Sequence, residues 1–259
     1  MNDCSAGNAV SFRKMPRTIP RVFCVGWHKT GTTTIGLALV KLGYSVLGCR
    51  LDMVHPLRRG EIGEVIELAG RFDAVQDVPW AALYKELDEQ FPGSRFILTE
   101  REPEKWLQSA SRHFGSLEIP LHQWLYGDGR LSGNENLYMN RYLRHNESVK
   151  RYFADRPDDF LTLNFENGDC WKELCRFLDV SIPASAFPHE NKSAAKRSSL
   201  ERIYFGARDL VPARLRLALF ELRIKLRVAR GYQDPRNRFH NLRENREERA
   251  SWAQGERFK

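Results

Sequence analysis

The sequence contains few cysteines and no long apolar run. The 259-residue chain has five cysteines, and no two of them form a C-x-x-C pair, so neither a disulfide framework nor a zinc site is predicted. No segment approaches the roughly 18 apolar residues of a membrane-spanning helix, and no early segment has the charged and then apolar pattern of a signal peptide. We therefore expect a cytoplasmic protein that requires no metal, with Cys24 and Cys175 in its core.

Most of the chain also lacks an excess of charge of either sign. The whole chain carries a formal charge of +8, but residues 196–259 contain 17 Lys or Arg and 8 Asp or Glu, which is +9. Residues 1–195 therefore carry a formal charge of only −1. Because the basic C-terminal segment contains no recognised nucleic-acid-binding motif, we do not expect a nucleic acid as partner.

An apolar segment at residues 22–26 is followed by a turn of small and hydroxylated residues. The apolar segment favours a buried strand, and Ile35 to Leu42, closed by Gly43, have the periodicity of a helix. The turn therefore lies at a helix N-terminus, where unpaired backbone N–H groups and the helix dipole attract an anion. The residues predicted to line this anion site are His28, Lys29, Thr30, Gly31, Thr32, Thr33 and Thr34.

The composition of this turn suits a phosphate-like ligand. Gly31 lets the backbone approach closely, Lys29 adds a positive charge, and the threonines donate hydroxyl hydrogen bonds or cap the helix. Lys29 precedes the glycine by two positions, whereas the nucleoside triphosphate pattern G-x-x-x-x-G-K-[ST] has lysine directly after it. The order therefore argues against an ordinary kinase or GTPase. The alternative is a capped turn that binds nothing.

Residues 29–33, Lys-Thr-Gly-Thr-Thr, resemble the phosphosulfate-binding loop of sulfotransferases that use 3′-phosphoadenosine 5′-phosphosulfate (PAPS). In a second segment, Arg101 follows a β-type run at residues 96–99, and Ser109 lies eight residues later in a sequence of helical composition. The resemblance implies that Arg101 and Ser109 hold the 3′-phosphate and that Phe165 contacts the adenine. Some of the three glutamates around the arginine must point away from that phosphate: Glu100, Glu102 and Glu104.

Other segments resemble the small-substrate branch of the same family. They are the Asp-x-Pro at residues 77–79 with the helix that follows it, residues 171–178 and residues 187–191, so that the resemblance spans about residues 20–193. It implies a three-layer, P-loop-like α/β fold with a central, mainly parallel sheet flanked by helices. It also implies PAPS as donor and 3′-phosphoadenosine 5′-phosphate (PAP) as product.

Sulfuryl transfer requires a base for the acceptor's proton and a positive group for the leaving oxygen. Lys29 is the residue we predict to stabilise the leaving oxygen. Asp77 is the predicted base, because it ends an apparent strand and so emerges at the same sheet edge as the loop. One alternative is that Asp77 caps a helix beginning near Pro79. The other is that a histidine supplies the base, although for His28 and His113 a loop or surface role is favoured.

The chain divides into three predicted units: a flexible arm at residues 1–19, an α/β domain at 20–195 and a basic helical extension at 196–259. Residues 211–230 have two apolar stripes when placed on a helix. We predict that one stripe packs on the body of the protein and the other on a second subunit, as a homodimer, or peripherally on a membrane. The alternative is that the helix packs entirely on its own monomer.

Residues 117–136 lack clear periodicity and predict a substrate-facing loop or lid. Its nearby aromatic residues either line an acceptor pocket or pack beneath the loop: Trp124, Tyr126 and Tyr138. The leading hypothesis is a sulfotransferase that transfers a sulfuryl group from PAPS to a hydroxyl or amine of a small molecule by in-line displacement. The alternatives are an ATP-dependent phosphotransferase with an atypical phosphate loop and a non-enzymatic nucleic-acid-binding protein that uses the basic tail.

Overall fold

Five short strands form one parallel sheet at the centre of the fold. The computed structural model describes residues 19–168 and 170–188. The strands are β1 (Val22–Cys24), β2 (Val46–Leu47), β3 (Ala74–Gln76), β4 (Arg95–Thr99) and β5 (Phe160–Leu163). Their order across the sheet is β2-β3-β1-β4-β5, and neighbouring strands pair in parallel. The carboxyl ends of all five strands therefore meet at one edge.

Helices connect the strands and cover both faces of the sheet. They are α1 (Thr32–Lys41), α2 (Val54–Arg58), α3 (Ile62–Ala69), α4 (Tyr84–Gln90), α5 (Pro103–Phe114), α6 (Pro120–Tyr126), α7 (Glu135–Tyr152) and α8 (Trp171–Leu178). Short 3₁₀ turns lie at Leu51–Met53, Trp80–Leu83, Pro157–Asp159 and Phe165–Asn167. Helix α5 shows how local sequence sets an element. Pro103 occupies its first position, and the Glu102 carboxylate accepts the N–H groups of Glu104 and Lys105.

The alternation of side chains along the strands divides the core into two layers. Phe23 in β1 pairs in register with Val75 and Phe96, and all three are buried in the layer that also contains residues of α2 to α7. Its neighbours Val22 and Cys24 point to the opposite face, where they pack with residues of α1 and α8. Because both faces are covered, most strand residues are apolar, as expected for a parallel sheet, and the polar ones include Gln76 and Arg95 at strand ends.

The predicted fold class is confirmed: the sheet is parallel and lies between two helical layers. The prediction of a loop at residues 117–136 is wrong, because α6 spans residues 120–126 and α7 begins at residue 135, and a lid stays a prediction. Tyr126 and Tyr138 are buried and stack on each other at 3.7 Å. They therefore pack beneath the segment, and short helix length hid the periodicity of α6.

Several predictions concern segments outside the described residues. These are the N-terminal arm, apart from its last residue, and the basic extension with the amphipathic segment at 211–230. Among residues 19–168 and 170–188, no helix combines the length and the apolar character needed to span a bilayer. Cys24 and Cys175 are buried as predicted, and neither forms a disulfide.

Candidate active site

The carboxyl edge of the sheet brings together the separate segments that the sequence singled out. The loop at residues 25–31 follows β1, Asp77 follows β3, Arg101 lies two residues after β4, and Phe165 lies two residues after β5. In open parallel sheets this edge is where ligands bind, because the loops that leave neighbouring strands converge there. The candidate site is this edge.

The loop between β1 and α1 has a specific backbone conformation. Lys29 has a positive φ of 67° and Gly31 one of 104°. The Thr30 hydroxyl donates to the carbonyl oxygen of Trp27 at 2.6 Å and lies 2.6 Å from the Thr99 hydroxyl. Thr30 is only 4% exposed. Its side chain therefore holds the loop to β4, and its N–H also donates to the Trp27 carbonyl oxygen at 3.3 Å.

Helix α1 begins directly after a glycine. Gly31 is the N-cap residue, so no N-cap side chain bonds to the N–H groups that follow it. The expectation that the threonines cap this helix is therefore wrong. Instead, the Thr32 hydroxyl donates to Oδ2 of Asp77 at 2.8 Å. An uncapped helix N-terminus after a glycine is the arrangement that binds phosphate groups in other proteins.

Asp77 contacts the loop through its carboxylate. Its Oδ1 accepts the N–H of Val78 at 2.7 Å, and its Oδ2 accepts the Thr32 hydroxyl. Burial raises the pKa of Asp77 above its usual range, although these two hydrogen bonds and the charge of Lys29 act in the opposite direction. The alternative helix-capping role is wrong, because the Ala81 N–H bonds to the main-chain oxygen of Asp77 and not to its carboxylate.

Arg101 lies between the loop and the turn at Phe165–Asn167. Its Nη1 is 3.5 Å from the carbonyl oxygen of Lys29, and its Nε and Nη2 donate to Glu166 Oε1 at 3.0 and 2.9 Å. Ser109 lies two turns into α5 and is 8% exposed. Two of the neighbouring glutamates are occupied elsewhere, since Glu102 caps α5 and Glu100 pairs with Lys150 at 2.7 Å. These partners agree with the expectation that some of the glutamates point away from the phosphate, which stays a prediction.

A buried aromatic pair ties the loop to the arginine segment. Trp106 in α5 stacks on Tyr142 in α7 with ring centroids 4.2 Å apart, and both are fully buried. Trp106 Nε1 donates to the carbonyl oxygen of His28 at 2.9 Å. The Tyr142 hydroxyl accepts the N–H of Arg101 and donates to its carbonyl oxygen. Sequence reasoning missed this pair, whose only signal was an aromatic residue on each helix.

His28 is directed into the protein and away from solvent. Its imidazole is 4% exposed, hydrogen-bonds the Tyr126 hydroxyl through Nε2 and stacks on His122 at 5.2 Å. Burial, followed by the nearby His122, lowers the pKa of His28 well below its usual value, so the ring is neutral. Of the expected loop or surface role, His28 has the loop position but is not at the surface, whereas His113 is exposed. Because the imidazole is buried, the backbone N–H is the group through which we predict that His28 contacts a ligand.

Other histidines near the sheet are also buried and neutral. Burial lowers the pKa of His122 to about 3 and, with smaller effects from neighbouring groups, that of His145 to about 4. His145 Nε2 donates to the carbonyl oxygen of Val25 at 2.7 Å. These rings serve the packing behind the loop. Among the candidate bases, Asp77 lies beside the loop, where its carboxylate bonds Thr32.

Phe165 packs directly against the loop glycine. A Cβ added to Gly31 would lie 2.5 Å from Cδ2 of the Phe165 ring. The ring therefore lies against the loop, at the position from which the resemblance implies that an aromatic residue contacts adenine. Trp124, by contrast, is partly buried and packs against the core.

The contact at Gly31 predicts that Gly31→Ala is more destabilising than Gly60→Ala. Both glycines have positive φ, 104° and 76°, so alanine strains the backbone at each. At Gly60 a Cβ meets nothing within 4 Å, whereas at Gly31 it collides with Phe165. We expect the Gly31 variant to lose about 1–3 kcal/mol more of the unfolding free energy, as for an overpacked core. Urea denaturation of the two variants measures this difference, and equal losses would contradict it.

No group of three or more His, Cys, Asp or Glu residues within the described ranges is arranged to hold a metal ion.

Comparison with known proteins agrees with the geometry of the loop. Residues 21–128 and 120–196 match the sequence model of a family described as "Sulfotransferase domain". A curated relative, "Ava biosynthesis cluster protein M" of Aspergillus versicolor, is 22% identical over an alignment of 213 residues, and the match covers 65% of this chain and 80% of that protein. The chain belongs to the sulfotransferase domain family.

Proposed function

We propose that this sulfotransferase moves a sulfuryl group from PAPS to a hydroxyl or amine of a small-molecule acceptor. The observation that carries the proposal is the 3.5 Å contact between Arg101 Nη1 and the carbonyl oxygen of Lys29. It makes the guanidinium and the uncapped N-terminus of α1 neighbours. PAPS carries negative charge at its 5′-phosphosulfate and at its 3′-phosphate, and two adjacent anion-binding groups suit such a molecule.

The residues present fit this donor, which supplies an activated sulfuryl group. The N-terminus of α1, with Lys29 beside it, would hold the phosphosulfate. Arg101 and Ser109 would hold the 3′-phosphate, since a guanidinium fork and a hydroxyl both donate to phosphate oxygens. Phe165, whose ring lies against Gly31, offers an aromatic face to the adenine.

Asp77 accepts the acceptor's proton in this proposal. The side chain is half-buried, and its raised pKa makes it a stronger base than an ordinary aspartate. The Thr32 hydroxyl orients the carboxylate toward the loop. Lys29 stabilises the negative charge that develops on the leaving phosphate oxygen, because a fixed cation acts most strongly where charge appears.

A ligand comparison tests the donor, and a transfer assay tests the reaction. In a thermal-shift experiment we expect PAP to stabilise the protein and ATP with magnesium to do so less. The reverse order would favour an ATP-dependent phosphotransferase. Transfer of labelled sulfate from PAPS to a panel of phenols, alcohols, amines and sugars, with products identified by mass spectrometry, then identifies the acceptor class. Cytoplasmic location and the absence of a nucleic-acid partner stay predictions.

A further inference from the structure

Glu166 occupies the cationic side of the candidate nucleotide site. Its Oε1 accepts two hydrogen bonds from Arg101, at 3.0 and 2.9 Å, and its Oε2 accepts one from Lys105 Nζ at 3.1 Å. One carboxylate thus takes the Nε and Nη2 donors of the arginine that the proposed function assigns to the 3′-phosphate. No sequence pattern predicts this contact, because the two residues are 65 positions apart.

The backbone around Glu166 holds this carboxylate next to the loop. The N–H of Glu166 donates to Oδ1 of Asn164 at 3.0 Å, which starts the Phe165–Asn167 turn. The preceding residue, Phe165, packs against Gly31 of the loop. The same short turn therefore places the Phe165 ring against the loop at residues 25–31 and the Glu166 carboxylate next to Arg101.

The carboxylate is ionised at neutral pH. Burial acts to raise the pKa of Glu166, but the hydrogen bonds from Lys105 and Arg101 outweigh this effect and lower the pKa. The side chain is one third exposed and Arg101 about one quarter, so water and a ligand reach both. An ionised carboxylate on a reachable guanidinium is in direct competition with a phosphate for the same donors.

We propose that Glu166 is an internal anion that competes with the 3′-phosphate of the nucleotide for Arg101, and so limits how tightly PAP is held. This inference rests on the proposed function. With Glu166 in place, the two cations and one carboxylate leave one net positive charge for the phosphate, and without it they leave two. When the product leaves, the carboxylate returns to Arg101, and the arginine is not left unpaired. Such an exchange favours product release, a step that limits turnover in many enzymes.

Glu166→Gln tests the competition directly. We expect the variant to bind PAP about five- to tenfold more tightly. This factor corresponds to the loss of one competing ion pair whose strength lies between that of an exposed pair and that of a bidentate pair. Adenosine 5′-phosphate, which lacks the 3′-phosphate, is expected to bind both proteins equally. Isothermal titration calorimetry measures both ligands, and thermal unfolding checks that the variant is folded. Glu166→Ala provides a second variant if the amide disturbs the turn.

Glu104→Gln is the matched control. It removes one negative charge from the first turn of α5, where Glu104 is exposed and next to Lys105. We expect Glu104→Gln to change PAP affinity less than twofold, because the competition requires direct contact with Arg101 and not only one negative charge less on the protein. Weaker or unchanged PAP binding by Glu166→Gln would overturn the inference and show that Glu166 only orients the arginine. If the unaltered protein binds no PAP, the proposed function fails, and the inference falls with it.

Discussion

Lys29→Ala is expected to lower the turnover of sulfuryl transfer at least about a hundredfold, the usual loss when a group that stabilises transition-state charge is removed. The ammonium group belongs to a loop whose backbone is held by Thr30 and by the hydrogen bond from Trp106 to His28. Its charge acts on Asp77, since it lowers the pKa of that carboxyl. Lys29 and the predicted base, Asp77, therefore lie close to each other in the candidate site.

Steady-state kinetics with PAPS as donor measures the loss, and Lys41→Ala is the matched control. Lys41 lies at the opposite end of α1, is exposed and donates to the carbonyl oxygen of Ala186. Its removal deletes the same side chain but is expected to leave turnover within about twofold, the usual result for a surface change. Unchanged turnover in Lys29→Ala would show that the backbone N–H groups of the loop suffice without the lysine.

Asp77→Asn is expected to abolish transfer while PAP affinity stays within about twofold. General-base catalysis contributes about 10²- to 10⁴-fold, and an amide of the same shape cannot accept the proton. The amide oxygen can still accept the Val78 N–H, and the amide NH2 can donate to the Thr32 hydroxyl oxygen, so the loop keeps its position. The kinetic loss and the PAP affinity are measured on the same preparation, by product formation and by calorimetry.

Asp179→Asn is a closely matched control for the aspartate. Asp179 also has positive φ, 54° against 71° for Asp77, but it is the C-cap residue of α8 and follows no strand. Asparagine tolerates this backbone region, so both variants carry a similar local cost. Full activity in Asp77→Asn would mean that a histidine or the acceptor's own ionisation supplies the base.

The raised pKa of Asp77 also predicts a pH dependence. A base works only when deprotonated, so the rate falls as pH falls through the pKa of Asp77, and burial places that point above the range of an ordinary aspartate. Thr32→Val removes a hydrogen bond that lowers this pKa. The acid limb of the profile of kcat/KM against pH is therefore expected to move to higher pH in the variant. A limb that moves to lower pH would contradict the assignment.

Sequence reasoning was most successful where the relevant physics is local. The strand, turn and helix around Gly31 depend on neighbouring residues, and so does the start of α5, where Pro103 and Glu102 act within one turn. It failed at residues 117–136, because a helix as short as α6 shows barely two turns of periodicity. The resemblance implied a mainly parallel sheet, but the order of its five strands came only from the structure, since strand pairing is not encoded locally.

By itself, the sequence determined the strand, turn and helix around residues 25–31 and pointed to the segments that begin at Asp77 and Arg101. Short-range preferences decide such elements, and the family match agrees with them. Only the tertiary structure decided that the Asp77 carboxylate bonds Thr32, 45 positions away, and that Glu166 bonds Arg101, 65 positions away. The physical reason is that these bonds form where strands distant in the chain end side by side. The packing of the sheet, and not any local preference, sets the distances between them.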